Sequence, residues 1–270
     1  MDGSAEARRY HAMDGLRGSM MLLGVVFHAS LPYITARSPQ GFKDPNTGVA
    51  FDLLVLFLHS FRMLAFFVAA GFFAALLLDR RGAAGMAANR FQRVFLPLVV
   101  GWLVLAPLTR GAYQFAKAVA SSGSVASGID ALSRGNWLRW DNPFHLWFLI
   151  ALLVLYPSGL AVQWGVSRLP ERYLRSLVGT ARQALSSPWR PVFLAILVSF
   201  GFIPAAFYPF GRVNVYLAAA IALFFALGWV LYAHADLLGG LSRHAWKYVA
   251  VGIAVLPLDC AVEPATRCRR

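Results

Sequence analysis

Long apolar segments with few charged side chains constrain this sequence more than any other feature. A helix needs about 20 consecutive apolar residues to cross the hydrocarbon core of a bilayer. Only helices and closed barrels satisfy every backbone polar group in lipid. Six segments approach or exceed this length without the polar alternation of barrel strands: Leu16–Ile34, Phe51–Leu78, Val94–Leu108, Leu146–Val166, Val192–Phe210 and Val213–Ala233. The sequence therefore predicts an all-α, polytopic bundle of transmembrane helices.

The end of the sequence does not complete a further span. A seventh apolar run, Val249–Leu258, is too short to cross the hydrocarbon. We interpret this run as a partial seventh span and expect the chain to be truncated at its C-terminus. Residues 1–258 are then predicted to form one transmembrane domain, and residues 259–270 an unstructured basic tail.

Composition excludes several other classes of protein. Charged residues make up 14% of the chain, against about 25% in soluble domains, so polar side chains cannot cover a soluble globule of this size. Cys260 and Cys268 are the only cysteines, which excludes a disulfide scaffold and a cysteine zinc site. We expect no metal site and no permanently bound cofactor.

The net charge of +13 is explained by membrane topology rather than by nucleic-acid binding. If the N-terminus is cytoplasmic, the cytoplasmic segments carry thirteen Lys and Arg and the opposite loops carry seven. Cytoplasmic loops of membrane proteins carry such an excess. The sequence therefore predicts a multi-pass membrane protein with its N-terminus in the cytoplasm.

Ionisable side chains are concentrated in the first two predicted spans. The first contains Arg17 and His28, and the second contains His59 and Arg62, with Asp52 at its mouth. Such residues are costly in a membrane and by default indicate a functional site. The fourth, fifth and sixth spans contain no charged residue, so we expect the site to lie at the first two.

The spacing of these residues predicts a polar pocket. Arg17 and His28 are about three helical turns apart, which places them on one face, about 16 Å from each other along the axis. His28 and His59 would lie at matched depth, about 10 Å below the outer surface. A neutral imidazole is the usual general base near neutral pH. For His59 alone, a structural role in a hydrogen bond to a neighbouring helix explains its presence in the span as well as a functional role does.

A second group of cations lies in residues 79–93, which we expect to be a cytoplasmic loop. Arg90 and Arg93 are three residues apart, and two guanidinium groups at this spacing suit phosphate. Ordinary anchoring on the cytoplasmic side is the alternative, and for Arg80 and Arg81 it is the interpretation that we favour.

Together these motifs resemble the integral-membrane acyltransferase family 3. The resemblance covers residues 10–160 best, and beyond them only the hydropathy is similar. It rests on the spacing of Arg17 and His28 within a similar first span, and on Arg-Phe-Gln-Arg at 90–93. Two further segments carry it, His-Ser-Phe-Arg-Met at 59–63 and His-Leu-Trp-Phe-Leu at 145–149.

The resemblance implies an O-acyltransferase that moves a succinyl or acetyl group from cytoplasmic acyl-CoA to a hydroxyl of a periplasmic or cell-surface glycan. Arg17, Arg90 and Arg93 would bind the phosphates of the donor. His28 would be the general base, with Arg62 or His59 stabilising the oxyanion. The expected partners are acyl-CoA, a periplasmic glucan or other glycan, and the lipid bilayer, without nucleic acid.

Two other interpretations stay open at this point. Charged residues on two helices would also line the path of a transporter or flippase, although transporters more often show repeat symmetry. A truncated, inactive relative of the family is the other alternative.

Overall fold

The computed structural model describes residues 11–35, 42–141, 143–168 and 215–234, with single positions between 170 and 250. These residues form helices and no strand, which confirms the all-α prediction for this part of the chain. A π-helical segment, Phe91–Phe95, and two 3₁₀ turns, Leu31–Tyr33 and Phe144–Leu146, adjoin the helices. The α-helices are α1 His11–Ser30, α2 Val49–Arg90, α3 Leu96–Ser122, α4 Val125–Ser133, α5 Trp147–Val166 and α6 Val215–Ala233.

Two helical stretches among the described residues are long and apolar enough to cross a membrane. These are Val49–Ser122 and Phe144–Val166, and Leu217–Ala233 is a shorter apolar helix. The first stretch contains both the second and the third predicted spans. The predicted fifth span, the basic tail and all of the partial seventh span except Ala250 lie outside the described residues, so the number of spans stays a prediction.

Residues 79–93 are helical rather than a loop, and the helix turns back on itself within them. Gly82 has φ 65° and ψ 179° inside α2, a conformation that favours glycine because it has no Cβ. Beyond this turn, the Arg90 Nη2 atom donates to the Phe73 carbonyl at 3.2 Å. Seventeen residues of straight helix would separate the two by about 25 Å. The segments before and after Gly82 therefore form a helical hairpin.

Helix α6 packs closely along α2. A Cβ atom at Gly71 would overlap the Phe225 carbonyl oxygen, and one at Gly228 would overlap the Val68 carbonyl oxygen. Glycine at both positions lets the two backbones touch, as small residues do between membrane helices. The Tyr232 hydroxyl also donates to Asp79 Oδ2 at 2.7 Å. Together these contacts hold the part of α2 before Gly82 against α6.

The main hydrophobic core lies where α2, its returning segment, α5 and α6 meet. Phe67 is fully buried, and Met86 and Val94 from beyond the Gly82 turn belong to the same cluster. Leu152 and Tyr156 join it from α5. The core therefore holds the hairpin against α5, and a cavity opens beside this contact.

Candidate functional site

A cavity of about 910 Å³ lies between α1, the α2 hairpin and α5. Five arginines of the described part of the chain line it, and Asp14 is the one carboxylate among the described lining residues. We call this the arginine cavity; its arginines are Arg17, Arg80, Arg81, Arg90 and Arg93. So strong an excess of cations around an open space favours a polyanionic ligand, because guanidinium groups pair readily with phosphate.

The hairpin turn brings the predicted phosphate-binding residues together. Arg90 lies 4.6 Å from the Tyr156 ring centroid, in addition to its bond to the Phe73 carbonyl. Arg17, on α1, lies 5.5 Å from the ring centroid of Phe73. Arg93 is exposed, whereas Arg90 is half-buried. Aromatic rings thus orient two of the three predicted cations toward the cavity.

The cavity continues from the arginines along α5. Its wall there is apolar and is formed by Phe148, Leu149 and Leu152, and His145, which precedes α5, also lines it. Eleven residues separate His145 from Tyr156, which corresponds to about 16 Å of helix. The cavity therefore joins a cationic end to a histidine end, over the same distance that separates Arg17 from His28 on α1.

His28, His59 and Arg62 form a second group, gathered around the ring of Phe27. Phe27 is 2% exposed. Its ring centroid lies 5.1 Å from that of His28 and 5.6 Å from that of His59. The Arg62 guanidinium lies over the same ring at 5.0 Å. The structure therefore brings together the three residues predicted as catalytic, and we call them with Phe27 the histidine cluster.

The histidine cluster does not itself line the arginine cavity, since none of its four residues is among the described lining residues. Its connection to the cavity is His145, whose ring centroid lies 6.2 Å from that of His28. His28 and His145 are both exposed, whereas His59 and Arg62 are half-buried. Of the predicted catalytic residues, His28 is therefore the one placed to meet a molecule in the cavity.

Asp52 has a structural role at the mouth of α2. Its carboxylate accepts hydrogen bonds from the Thr35 backbone N–H at 3.0 Å and from the Thr35 hydroxyl at 2.6 Å. The Lys43 ammonium donates to the Thr35 carbonyl at 2.5 Å. These bonds close the connection between α1 and α2, so Asp52 positions the two helices that carry the histidine cluster.

Sequence reasoning did not assign a site role to three lining residues, Arg80, Arg81 and His145. Arg80 and Arg81 were explained as anchors because cytoplasmic loops carry such cations. His145 precedes the fourth predicted span by one residue, outside the region where intramembrane ionisable residues are sought. Its presence in the motif at 145–149 was the available signal.

Comparisons with known proteins identify the family of this chain. The profile of the acyltransferase 3 family, described as an acyltransferase domain, matches residues 10–258. Glucans biosynthesis protein C of Shigella boydii serotype 4 is 33% identical over 149 residues, which are 55% of this chain and 37% of that protein. The proteins of the same name from Escherichia coli O1:K1 and O139:H28 are 32% identical over the same shares. The alignment thus spans little more than a third of these relatives. No solved structure matches the chain.

Proposed function

This chain belongs to the acyltransferase 3 family, and from that premise we propose that it moves a succinyl or acetyl group from acyl-CoA to a hydroxyl of a glycan. The arginine cavity is the observation that carries the proposal. The acceptor that we propose is a periplasmic glucan or another cell-surface glycan, because the relatives are named for glucan biosynthesis.

The cationic end of the cavity supports the binding of the donor's phosphate groups. Arg17 comes from α1, whereas Arg90 and Arg93 come from the segment beyond the Gly82 turn, and all three line one space. Charge-assisted hydrogen bonds from guanidinium to phosphate oxygens are about twice as strong as neutral ones. A donor with several phosphates would also relieve the repulsion between neighbouring cations. Both the hydrogen bonds and this relief of repulsion would therefore favour binding.

The apolar wall along α5 suits the extended arm that carries the thioester. With the phosphates at Arg90, the arm would pass Leu152 and Leu149 and bring the thioester toward His28. The path is about 16 Å long. Apolar walls exclude water there, which favours transfer to a hydroxyl over hydrolysis.

The proposed chemistry is a direct acyl transfer. The acceptor hydroxyl oxygen attacks the thioester carbonyl carbon, and His28 accepts the hydroxyl proton as general base. The carbon–sulfur bond then breaks, and CoA leaves as its thiolate. The positive charge of Arg62, with His59 beside it, would stabilise the oxyanion that forms between these steps.

The family and the apolar helices indicate a membrane protein. We propose that it lies in a bacterial inner membrane with its N-terminus and residues 79–93 in the cytoplasm, where the donor would enter. Reporter fusions at Gly82 and Gly123 test this orientation, and we expect them on opposite sides. Both reporters on one side would contradict the predicted topology, and a Gly82 reporter outside the cytoplasm would exclude entry of the donor from the cytoplasm by this route.

Incubation of membranes that contain the protein with acyl-labelled CoA and a purified glucan tests the activity. We expect label in the glucan as an alkali-labile ester, together with release of free CoA. Movement of glycan across the membrane without release of CoA would indicate a transporter instead. If neither occurs while the protein is inserted, the chain is inactive and the proposal is wrong.

A further inference from the structure

The proposed reaction lacks a direct hydrogen-bond donor for the carbonyl oxygen of the thioester. His59 and Arg62 lie against Phe27 and do not line the arginine cavity among the described residues. An oxyanion donor acts at hydrogen-bond distance from the oxygen, about 2.7–3.1 Å. The positive charge of Arg62 can therefore favour the oxyanion only from a distance, and another side chain has to donate the hydrogen bond.

His145 is the described histidine that lines the cavity. It lies at the end away from Arg90 and Tyr156, where the proposed donor would present its thioester. Its ring centroid is 6.2 Å from that of His28, with the two planes inclined by 60°. The two rings are therefore close enough to act on two oxygen atoms of one reacting centre.

The backbone before His145 holds it in an uncommon conformation. Phe144 has φ 47°, a left-handed value that a bulky residue rarely adopts. Its ring packs edge to face against Tyr113 at 5.8 Å, and the Leu146 N–H donates to the Pro143 carbonyl at 2.9 Å. Strained backbone of this kind persists where tertiary contacts impose it, often at active sites. Here those contacts turn the 3₁₀ segment so that His145 faces the cavity.

We propose that His145 is a further catalytic residue, which donates an imidazole N–H to the thioester carbonyl oxygen. This role rests on the proposed acyl transfer. As the acceptor oxygen bonds to the carbonyl carbon, the carbonyl electron pair moves onto the oxygen bound by His145, and the hydroxyl proton passes to His28. The electron pair then returns, the carbon–sulfur bond breaks, and the thiolate leaves. A neutral imidazole has one N–H donor and can fill this role without being protonated.

Substitution of His145 separates this role from that of a base. We expect His145→Ala to lower kcat by about 10²–10³-fold with unchanged affinity for donor, since the arginines are intact. His145→Gln should regain most of the lost activity, because its amide can donate a hydrogen bond. His28→Gln should not regain activity, because an amide cannot accept the proton. If His145→Ala retains wild-type kcat, or if His145→Gln is as inactive as His145→Ala, the proposal is wrong.

A spectroscopic measurement tests the contact without turnover. Acyl-CoA labelled with ¹³C at the thioester carbonyl is bound to the full chain in lipid nanodiscs, and the carbonyl stretch is recorded by infrared difference spectroscopy. We expect binding to lower the stretching frequency in the wild type and in His145→Gln, and the shift to be lost in His145→Ala. A bound donor whose shift survives in His145→Ala overturns the role of His145 alone. Failure of the wild type to bind acyl-CoA overturns the proposed function and, with it, this role.

Discussion

The arginine cavity and the histidine cluster are both polar regions in an apolar bundle, but they are built differently. In the cavity, Arg17 and Arg93 are exposed and project from separate elements into open space. In the histidine cluster, His59 and Arg62 are half-buried and packed on the Phe27 ring. In the cavity, five arginines and one carboxylate line an open space, so most of that positive charge would be balanced only by an anion from outside the chain. The histidine cluster contains a single cation, Arg62, which is packed on the Phe27 ring.

This difference indicates that the two regions have different roles, one in binding and one in catalysis. The cavity resembles a preformed binding site in that its cations are oriented before any ligand arrives. The histidine cluster resembles a supported catalytic group, in which buried side chains hold one exposed imidazole, His28. Substitutions in the arginine cavity are therefore expected to weaken binding of the donor, and substitutions in the histidine cluster to lower kcat.

The largest effect is expected for His28. His28→Ala should lower kcat by about 10²–10⁴-fold, the usual contribution of general acid–base catalysis, while binding of donor persists. Transfer of labelled acyl groups and equilibrium binding of the donor measure the two quantities on the same membranes. Recovery of most activity in His28→Gln would show that the ring holds helices together and that the catalytic assignment is wrong.

A smaller effect, on binding, is expected in the cavity. Arg90→Ala or Arg93→Ala should each remove a charge-assisted phosphate contact of about 1.5–3 kcal/mol, which corresponds to roughly 10–150-fold in the Kd of donor. Titration with acyl-CoA measures this change.

Arg134 provides the matched control for these two variants. It is an exposed arginine paired with Asp130 at 2.5 Å and lies outside the cavity lining. Arg134→Ala should leave the Kd unchanged. If Arg90→Ala and Arg93→Ala bind donor normally but reach the membrane in low amounts, the pair is a topology anchor and the phosphate interpretation is wrong.

The smallest effect is expected from a substitution that disturbs the packing of the histidine cluster without changing any charge. A Cβ at Gly24 would lie 2.6 Å from Arg62 Nη1, so Gly24→Ala should displace the guanidinium from Phe27. We expect a several-fold loss of kcat with an unchanged Kd, and a similar loss in His59→Gln.

Gly15→Ala on the same helix is the control, because a Cβ there meets nothing within 4 Å. Alanine stabilises a helix interior relative to glycine by about 0.5–1 kcal/mol, so lower helix propensity cannot explain a loss at Gly24. A loss in Gly24→Ala as large as that in His28→Ala would mean that Arg62, rather than His28, is the principal catalytic group.

Local patterns were sufficient to predict the helical class and to single out most residues of the candidate site. The apolar run 51–78 predicted a helix because twenty such residues can pair their backbone groups only internally in lipid. Periodicity likewise placed Arg17 and His28 on one face, since both lie on the same helix. The predicted topology reverses the chain between the second and third spans, but the polar sequence 79–93 was predicted to be a loop. The helical conformation of these residues depends on packing against α5, which the local sequence does not encode.

The sequence by itself determined the all-helical class, the position of the ionisable residues and their spacing along each helix, because all three depend on neighbours in the chain. Only the tertiary structure decided that Arg90 meets Tyr156, that Phe27 lies between His28 and His59, and that His145 lines the cavity. Those contacts join residues on different helices, and they depend on the turn at Gly82 and on the close approach of Gly71 to α6. Helix packing sets such distances, and no local periodicity encodes them.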